Sequence, residues 1–290
     1  MADKNTPSSK TRRTDPGAAA RRAQQGGNGR VWWLVGGAVV VVGLLVVIAA
    51  VASRSKDAPV PTGTDAAAVI DQVTSVPASV TNKVGIGSVQ NIPAAISDPA
   101  LTADGKPEVL YIGAEYCPYC ATERWAMVEA LSRFGTFKDL SLTHSATADV
   151  FPDTPTFTFN GSTYTSPYIT FTPVETASNV PDGNGGYKPL DAPTQAQADL
   201  LTRLGDNGSI PFIDVGGKYV ISGATYDPQA LQGKSASEIA AAMHDPTSDI
   251  AKGAVGSANM LTAMICDTTD NKPANVCTAP AIKEIQSTLK

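Results

Sequence analysis

The rhythm of apolar and polar positions changes sharply along the chain. Residues 31–52, "VWWLVGGAVVVVGLLVVIAAVA", run apolar without a charge or a proline. At 1.5 Å per residue this stretch predicts a helix of about 33 Å, long enough to cross a bilayer. "PEVLYIGA" (107–114) is a short apolar run of β-formers between Pro and Gly, which predicts a buried strand. Helical spacing follows at once. Met127, Ala130, Leu131 and Phe134 share one face, Glu123, Arg124 and Glu129 fall mostly elsewhere, and Gly135 is a natural stop.

"LSLTHSAT" (140–147) predicts a second strand. "TFTFNGSTYTSPYITFTPV" (156–174) alternates β-branched or aromatic residues with polar ones around Asn160-Gly161, the pattern of a hairpin. A Gly- and Pro-rich loop, 176–192, leads to a helix near Thr194–Leu204. "IPFIDVGGKYVISG" (210–223) predicts two strands joined through Gly216-Gly217. Asp227-Pro228 reads as a helix cap, Ser235 to Glu238 as a capping box, and 248–265 as a further helix. This order predicts an α/β fold, a mixed sheet flanked by helices with an inserted hairpin and loop.

Charge divides the chain where hydropathy does. Residues 1–30 hold seven Lys and Arg against two Asp, although the whole chain is −5. Such a basic flank stays in the cytoplasm, so the sequence predicts an uncleaved anchor with residues 53–290 outside and Trp32 and Trp33 at the inner interface. A signal peptide cleaved after Ala50-Val51-Ala52 is the rival, but the apolar run exceeds the usual length of such segments. The expected organisation is a disordered tail (1–30), a transmembrane helix (31–52), a linker (53–66) and an extracytoplasmic domain (67–290), its core at about 105–245 followed by a C-terminal helical extension with the second cysteine pair. The outer part is acidic, with fifteen basic and twenty-five acidic residues after residue 30, which argues against a nucleic-acid partner.

The candidate chemistry lies in Cys117-Pro118-Tyr119-Cys120, at the strand-to-helix junction. A cysteine at a helix N-cap faces free N–H groups and the positive end of the helix dipole, which favour a thiolate. Pro118 costs nothing there, because its missing N–H belongs to the unpaired first turn. Cys120, one turn in, is placed to resolve a mixed disulfide on Cys117. Zinc is the competing reading and would need Cys266 and Cys277 or a histidine, yet His144 and His244 lie in no ligand pattern, so no metal is expected. Outside the cytoplasm, Cys266 and Cys277 read as a structural disulfide, with a second redox dithiol as the alternative. Asn160 and Asn207 begin glycosylation sequons that are equally good turn sequences.

"AEYCPYC" (114–120) resembles the active-site stretch of thioredoxins, with the central dipeptide of glutaredoxins, and 209–223 resembles their segment in which a cis-proline precedes the last hairpin. The layout also resembles membrane-anchored thioredoxin-like proteins of actinobacteria. The resemblance implies a thiol–disulfide oxidoreductase, with Cys117 and Cys120 catalytic. It makes Pro211 the cis-proline beside them and Ile210 the residue facing the sulfur, with Pro118 and Tyr119 completing a substrate groove. It implies no bound cofactor. The partners it implies are protein thiols and disulfides, among them a quinone-linked thiol oxidase of the membrane or a dithiol reductase. The alternative is a binding module with an inert disulfide. Two departures stand out. Thioredoxins carry a buried acid where this chain has Tyr111, and Glu115 and Glu123 read as too exposed to replace it. The interval from Cys120 to Pro211 is also long, and its aromatics Tyr164, Tyr168 and Phe171 read as either docking groups or strand packing.

Overall fold

The computed structural model describes residues 62–289. The tail, the apolar span 31–52 and most of the expected linker lie outside the described residues. Among the described residues no helix is long and apolar enough to cross a membrane. The linker expected through residue 66 ends sooner, because helix α1 (Thr64–Thr74) already begins at Thr64. Val69 and Val73, one helical turn apart, dock α1 onto the main core. Helix α2 (Ala78–Val84) and the short strands β1 (Ala94–Ala95) and β2 (Thr102–Ala103) lead to the central strand β3 (Lys106–Gly113).

From β3 the chain enters helix α3 (Pro118–Ser132), then β4 (Thr136–Lys138), β5 (Ser141–His144), β6 (Pro155–Thr158), β7 (Thr163–Thr165) and β8 (Thr170–Glu175). Strand β8 lies parallel to β3, with Glu108 to Gly113 in register with Thr170 to Glu175. The turn at Asn160-Gly161 forms, with Ser162 N–H donating to the Phe159 carbonyl at 3.1 Å, but the expected hairpin around it does not. Strand β6 pairs with β5 and β7 pairs with β4, so the two arms part after the turn. Alternation had identified the strands; their partners lie elsewhere in the chain. Tyr164, Tyr168 and Phe171 pack against the core, and the Tyr164 hydroxyl donates to the Leu131 carbonyl at 2.8 Å, so the packing alternative holds for these aromatics.

The expected loop 176–192 instead forms an antiparallel pair, β9 (Ala177–Pro181) and β10 (Tyr187–Pro189). Helix α4 (Gln195–Leu204) follows, then β11 (Phe212–Val215) and β12 (Tyr219–Ser222). Strand β11 lies antiparallel to β3 on the edge opposite β8, β12 pairs with β11, and β1 closes that side. The result is a mixed sheet. Gly217, at φ 72°, turns β11 into β12; a Cβ there would stand 2.3 Å from the Pro99 carbonyl oxygen. Leu110, Ile112 and Phe212 face α4, while Val109, Tyr111 and Ile213 face the larger core, the period-two division expected of a sheet covered on both sides.

The cap at Asp227 opens only a 3₁₀ turn, Pro228–Leu231, before helix α5 (Ala236–Met243). A π-helical turn, Ala251–Val255, runs into α6 (Gly256–Thr268), followed by α7 (Ala274–Cys277) and α8 (Pro280–Thr288). Met260, Met264, Cys277 and Ile285 belong to the same hydrophobic cluster as Trp125 and Phe157. The main hydrophobic cluster thus takes in α1 and the C-terminal helical extension as well. A helix named by its own periodicity does not reveal which core it completes.

Candidate functional site

Strand β3 ends in Gly113, where a Cβ would lie 2.0 Å from the Tyr111 hydroxyl. The glycine admits the Tyr111 ring at the mouth of the turn that starts α3. Cys117 caps the helix, its sulfur accepting the Cys120 N–H at 3.2 Å, and Pro118 takes the first helical position. Both cysteines are free thiols, 6 % and 0 % exposed. Ile210 lies across from them: the Cys117 Sγ donates to its carbonyl at 3.9 Å, and the Ile210-Pro211 peptide is cis. Pro118 is buried and Tyr119 exposed, its ring edge-on to Phe151. The structure thus brings Cys117, Cys120, Pro118, Tyr119, Ile210 and Pro211 to one place.

The two thiols are unlike. The hydrogen bond from the Cys120 thiol is the largest influence holding Cys117 below its ordinary value, helped by the Cys120 and Tyr119 N–H groups and by Arg124, against the effect of burial. Burial drives the Cys120 thiol well up, and its hydrogen bond to Cys117 adds to the rise. One sulfur is prepared to ionise first, and the other keeps its proton.

Beneath the pair lies a set of charges that the helical pattern sets mostly apart from the apolar face. Every residue of α3 from Cys120 to Leu131 is buried. Arg124 reaches Glu175 at the end of β8, Nε to Oε1 at 2.8 Å and Nη2 to Oε2 at 2.7 Å, and Nη2 also donates to the Ala114 carbonyl at 2.7 Å. Glu123 accepts both the N–H and the hydroxyl of Thr225, at 2.9 and 2.7 Å, and Glu129 pairs with Arg133. Glu115 is also buried. Glu115 and Glu123 are therefore not the exposed carboxylates that the sequence suggested: Glu115 lies buried in the turn before α3, and the fully packed helix hides Glu123, whose carboxylate Thr225 satisfies from far along the chain.

Strands β9 and β10 border the site as well. Ala177 packs against the small cluster of Ala114 and the two cysteines, its carbonyl accepts the Glu115 N–H at 2.9 Å, and Tyr187 stacks on Tyr116 with centroids 4.4 Å apart. The glycine-rich sequence between the strands concealed this pair; the only local signal was the lone Tyr187. Cys266 and Cys277 form a disulfide with Cα atoms 5.5 Å apart, where α6 gives way to α7. It belongs to the main core, whereas Cys117 and Cys120 pack in a separate small cluster.

No curated protein and no solved structure matches the chain. A family model matches it over residues 93–182 and 191–267, so that the dithiol, Arg124, Glu175 and Pro211 all lie within the matched segments. That match covers more than half of the chain, and the protein belongs to the family described as Domain of unknown function (DUF929).

Proposed function

We propose that this chain is a thiol–disulfide oxidoreductase with a thioredoxin-like site. The observation that carries the reading is the inequality of the two thiols: Cys117, an N-cap with its ionised form favoured, and Cys120, buried with its proton held. The Cys117 thiolate attacks a substrate disulfide, breaks its S–S bond and forms a mixed disulfide, releasing one substrate thiolate. Cys120 then gives up its proton and attacks the Cys117 sulfur. The Cys117–Cys120 disulfide forms, the second substrate thiol leaves, and two electrons have passed to the substrate. The reverse sequence oxidises a substrate dithiol. Neither direction calls for a bound cofactor.

Around Cys117, the Ile210 carbonyl, Pro211, Pro118 and the exposed Tyr119 make the groove in which an extended substrate backbone would lie beside the sulfur. The parallel β3–α3–β8 unit and the antiparallel β11–β12 pair support the thioredoxin-like reading. With residues 31–52 as an anchor the domain would act outside the cytoplasm on protein thiols and disulfides, exchanging electrons with a membrane thiol oxidase or a dithiol reductase.

Cys120→Ser should accumulate mixed disulfides on Cys117, visible as adducts on non-reducing gels, whereas Cys117→Ser should trap few. Equal trapping by both variants, or none by either, would leave a binding module with an inert cysteine pair.

A further inference from the structure

Arg124 stands seven residues after Cys117 and four after Cys120, so the three side chains share one stripe of α3. It is fully buried, and its contacts are lopsided. Nε and Nη2 are committed to Glu175 and the Ala114 carbonyl, while Nη1 has no hydrogen-bond partner. Ala114 shares a small buried cluster with both cysteines. The Tyr111 ring lies 5.8 Å from the guanidinium carbon, and its buried hydroxyl is likewise unpaired. Two buried donors, one of them cationic, therefore stand uncommitted within electrostatic reach of both thiols, where water does not screen them.

A disulfide is neutral and a thiolate carries a full charge. A buried cation stabilises the thiolate and does little for the disulfide, so it shifts the couple toward the reduced form. The charged and titratable groups around the sulfurs are Arg124 on α3, Tyr111 on β3, Glu175 on β8, and Tyr116 with its stacked partner Tyr187. Glu175 cancels part of the cation's field. At Cys117 the hydrogen bonds from Cys120 act more strongly than Arg124, but the guanidinium is the charged side chain that favours ionisation of both thiols.

We propose that Arg124 is the positioning residue that sets the direction of exchange, poising the Cys117–Cys120 couple toward its dithiol so that its disulfide oxidises substrate dithiols. The proposal rests on the oxidoreductase reading. In the forward step a substrate thiolate attacks the Cys117 sulfur, the Cys117–Cys120 bond breaks, and Cys120 leaves and takes up a proton. The second substrate thiol loses its proton and displaces Cys117, whose thiolate Arg124 stabilises. Two electrons pass from substrate to protein. A partner protein's disulfide removes them in the next exchange and is itself reduced.

The test equilibrates the full-length chain, in detergent, with glutathione buffers and follows alkylation of Cys117 against pH. Arg124→Gln alone would strand a buried carboxylate, so the decisive variant is Arg124→Gln/Glu175→Gln together; Glu175→Gln alone, which leaves the guanidinium unpaired at a cost in stability, is the supporting one. The double variant should favour its disulfide about tenfold more than the parent does, a potential about 30 mV more negative. The pH midpoint of Cys117 alkylation should rise with it. Glu175→Gln should move both readouts the opposite way. A purely structural ion pair would lower the melting temperature and leave both unchanged within about twofold, which would overturn the proposal. A parent chain that does not exchange with glutathione at all would instead bring down the oxidoreductase reading on which the proposal stands.

Discussion

Glu123 lies in the middle of α3 without exposed surface, and burial raises its carboxyl from 4.5 to about 7 against the hydrogen bonds from Thr225. The folded pKa lies above the unfolded one, so the folded chain holds a proton that the unfolded chain releases between those values. Stability is full below about 4.5 and falls as pH rises to about 7, by about 3 kcal/mol in all. Glu123→Gln keeps the shape and removes the titration. Urea unfolding should find the variant more stable than the parent at pH 8 and nearly equal to it at pH 4; a difference independent of pH would refute this account. The same residue marks the limit of sequence reading at this scale. Cys117 and Cys120 stood out through a local three-residue spacing, and Ile210 and Pro211 only through the resemblance of 209–223 to a known segment. Glu123, Arg124 and Glu175 were not legible. A charge on a helix reads as solvated until its partner is known, and Thr225 and Glu175 stand far away in the chain.

At the scale of elements, local chemistry was legible and pairing was not. Thr194 and Gln197 form a complete capping box at α4, the helix placed near Thr194–Leu204 by its pattern, and Ser235 with Glu238 forms another at α5. The turn at Asn160-Gly161 is equally local and equally real, yet its arms pair with β4 and β5. Register between strands is decided by the sheet that receives them. The β9–β10 pair beside the dithiol reads as a loop because two strands joined through glycines and prolines lack the alternation that marks a hairpin. Because the α4 box is a local device on the face of the sheet lined by Leu110 and Phe212, its loss should stay local in function. Thr194→Ala should lower the unfolding free energy by about 1 kcal/mol in denaturant titrations. Cys117 alkylation should proceed at the parental rate. A changed alkylation rate would mean that α4 is coupled to the site.

For the whole molecule the decisive question is what the second cysteine pair contributes. Helix α6 packs on α3 and on α8, so the segment after residue 245 completes the core under the helix that carries the dithiol. Cys266 and Cys277 are both fully buried within it. A bond closing so short a loop should stabilise the fold by about 2–3 kcal/mol, chiefly by restricting the unfolded chain. A relay would need one sulfur exposed to a partner or placed at an activating helix start. Cys266 instead lies near the end of α6 and Cys277 at the end of α7, where carbonyls rather than N–H groups are left over and a thiolate gains nothing. Replacing both by alanine should therefore lower the melting temperature while leaving the Cys117–Cys120 potential and exchange rate near the parental values. Thermal unfolding and glutathione equilibration on the same preparation check both halves. Lost exchange at an unchanged melting temperature would make the pair a redox relay, and the charge at Arg124 would then act on only the first of two linked couples.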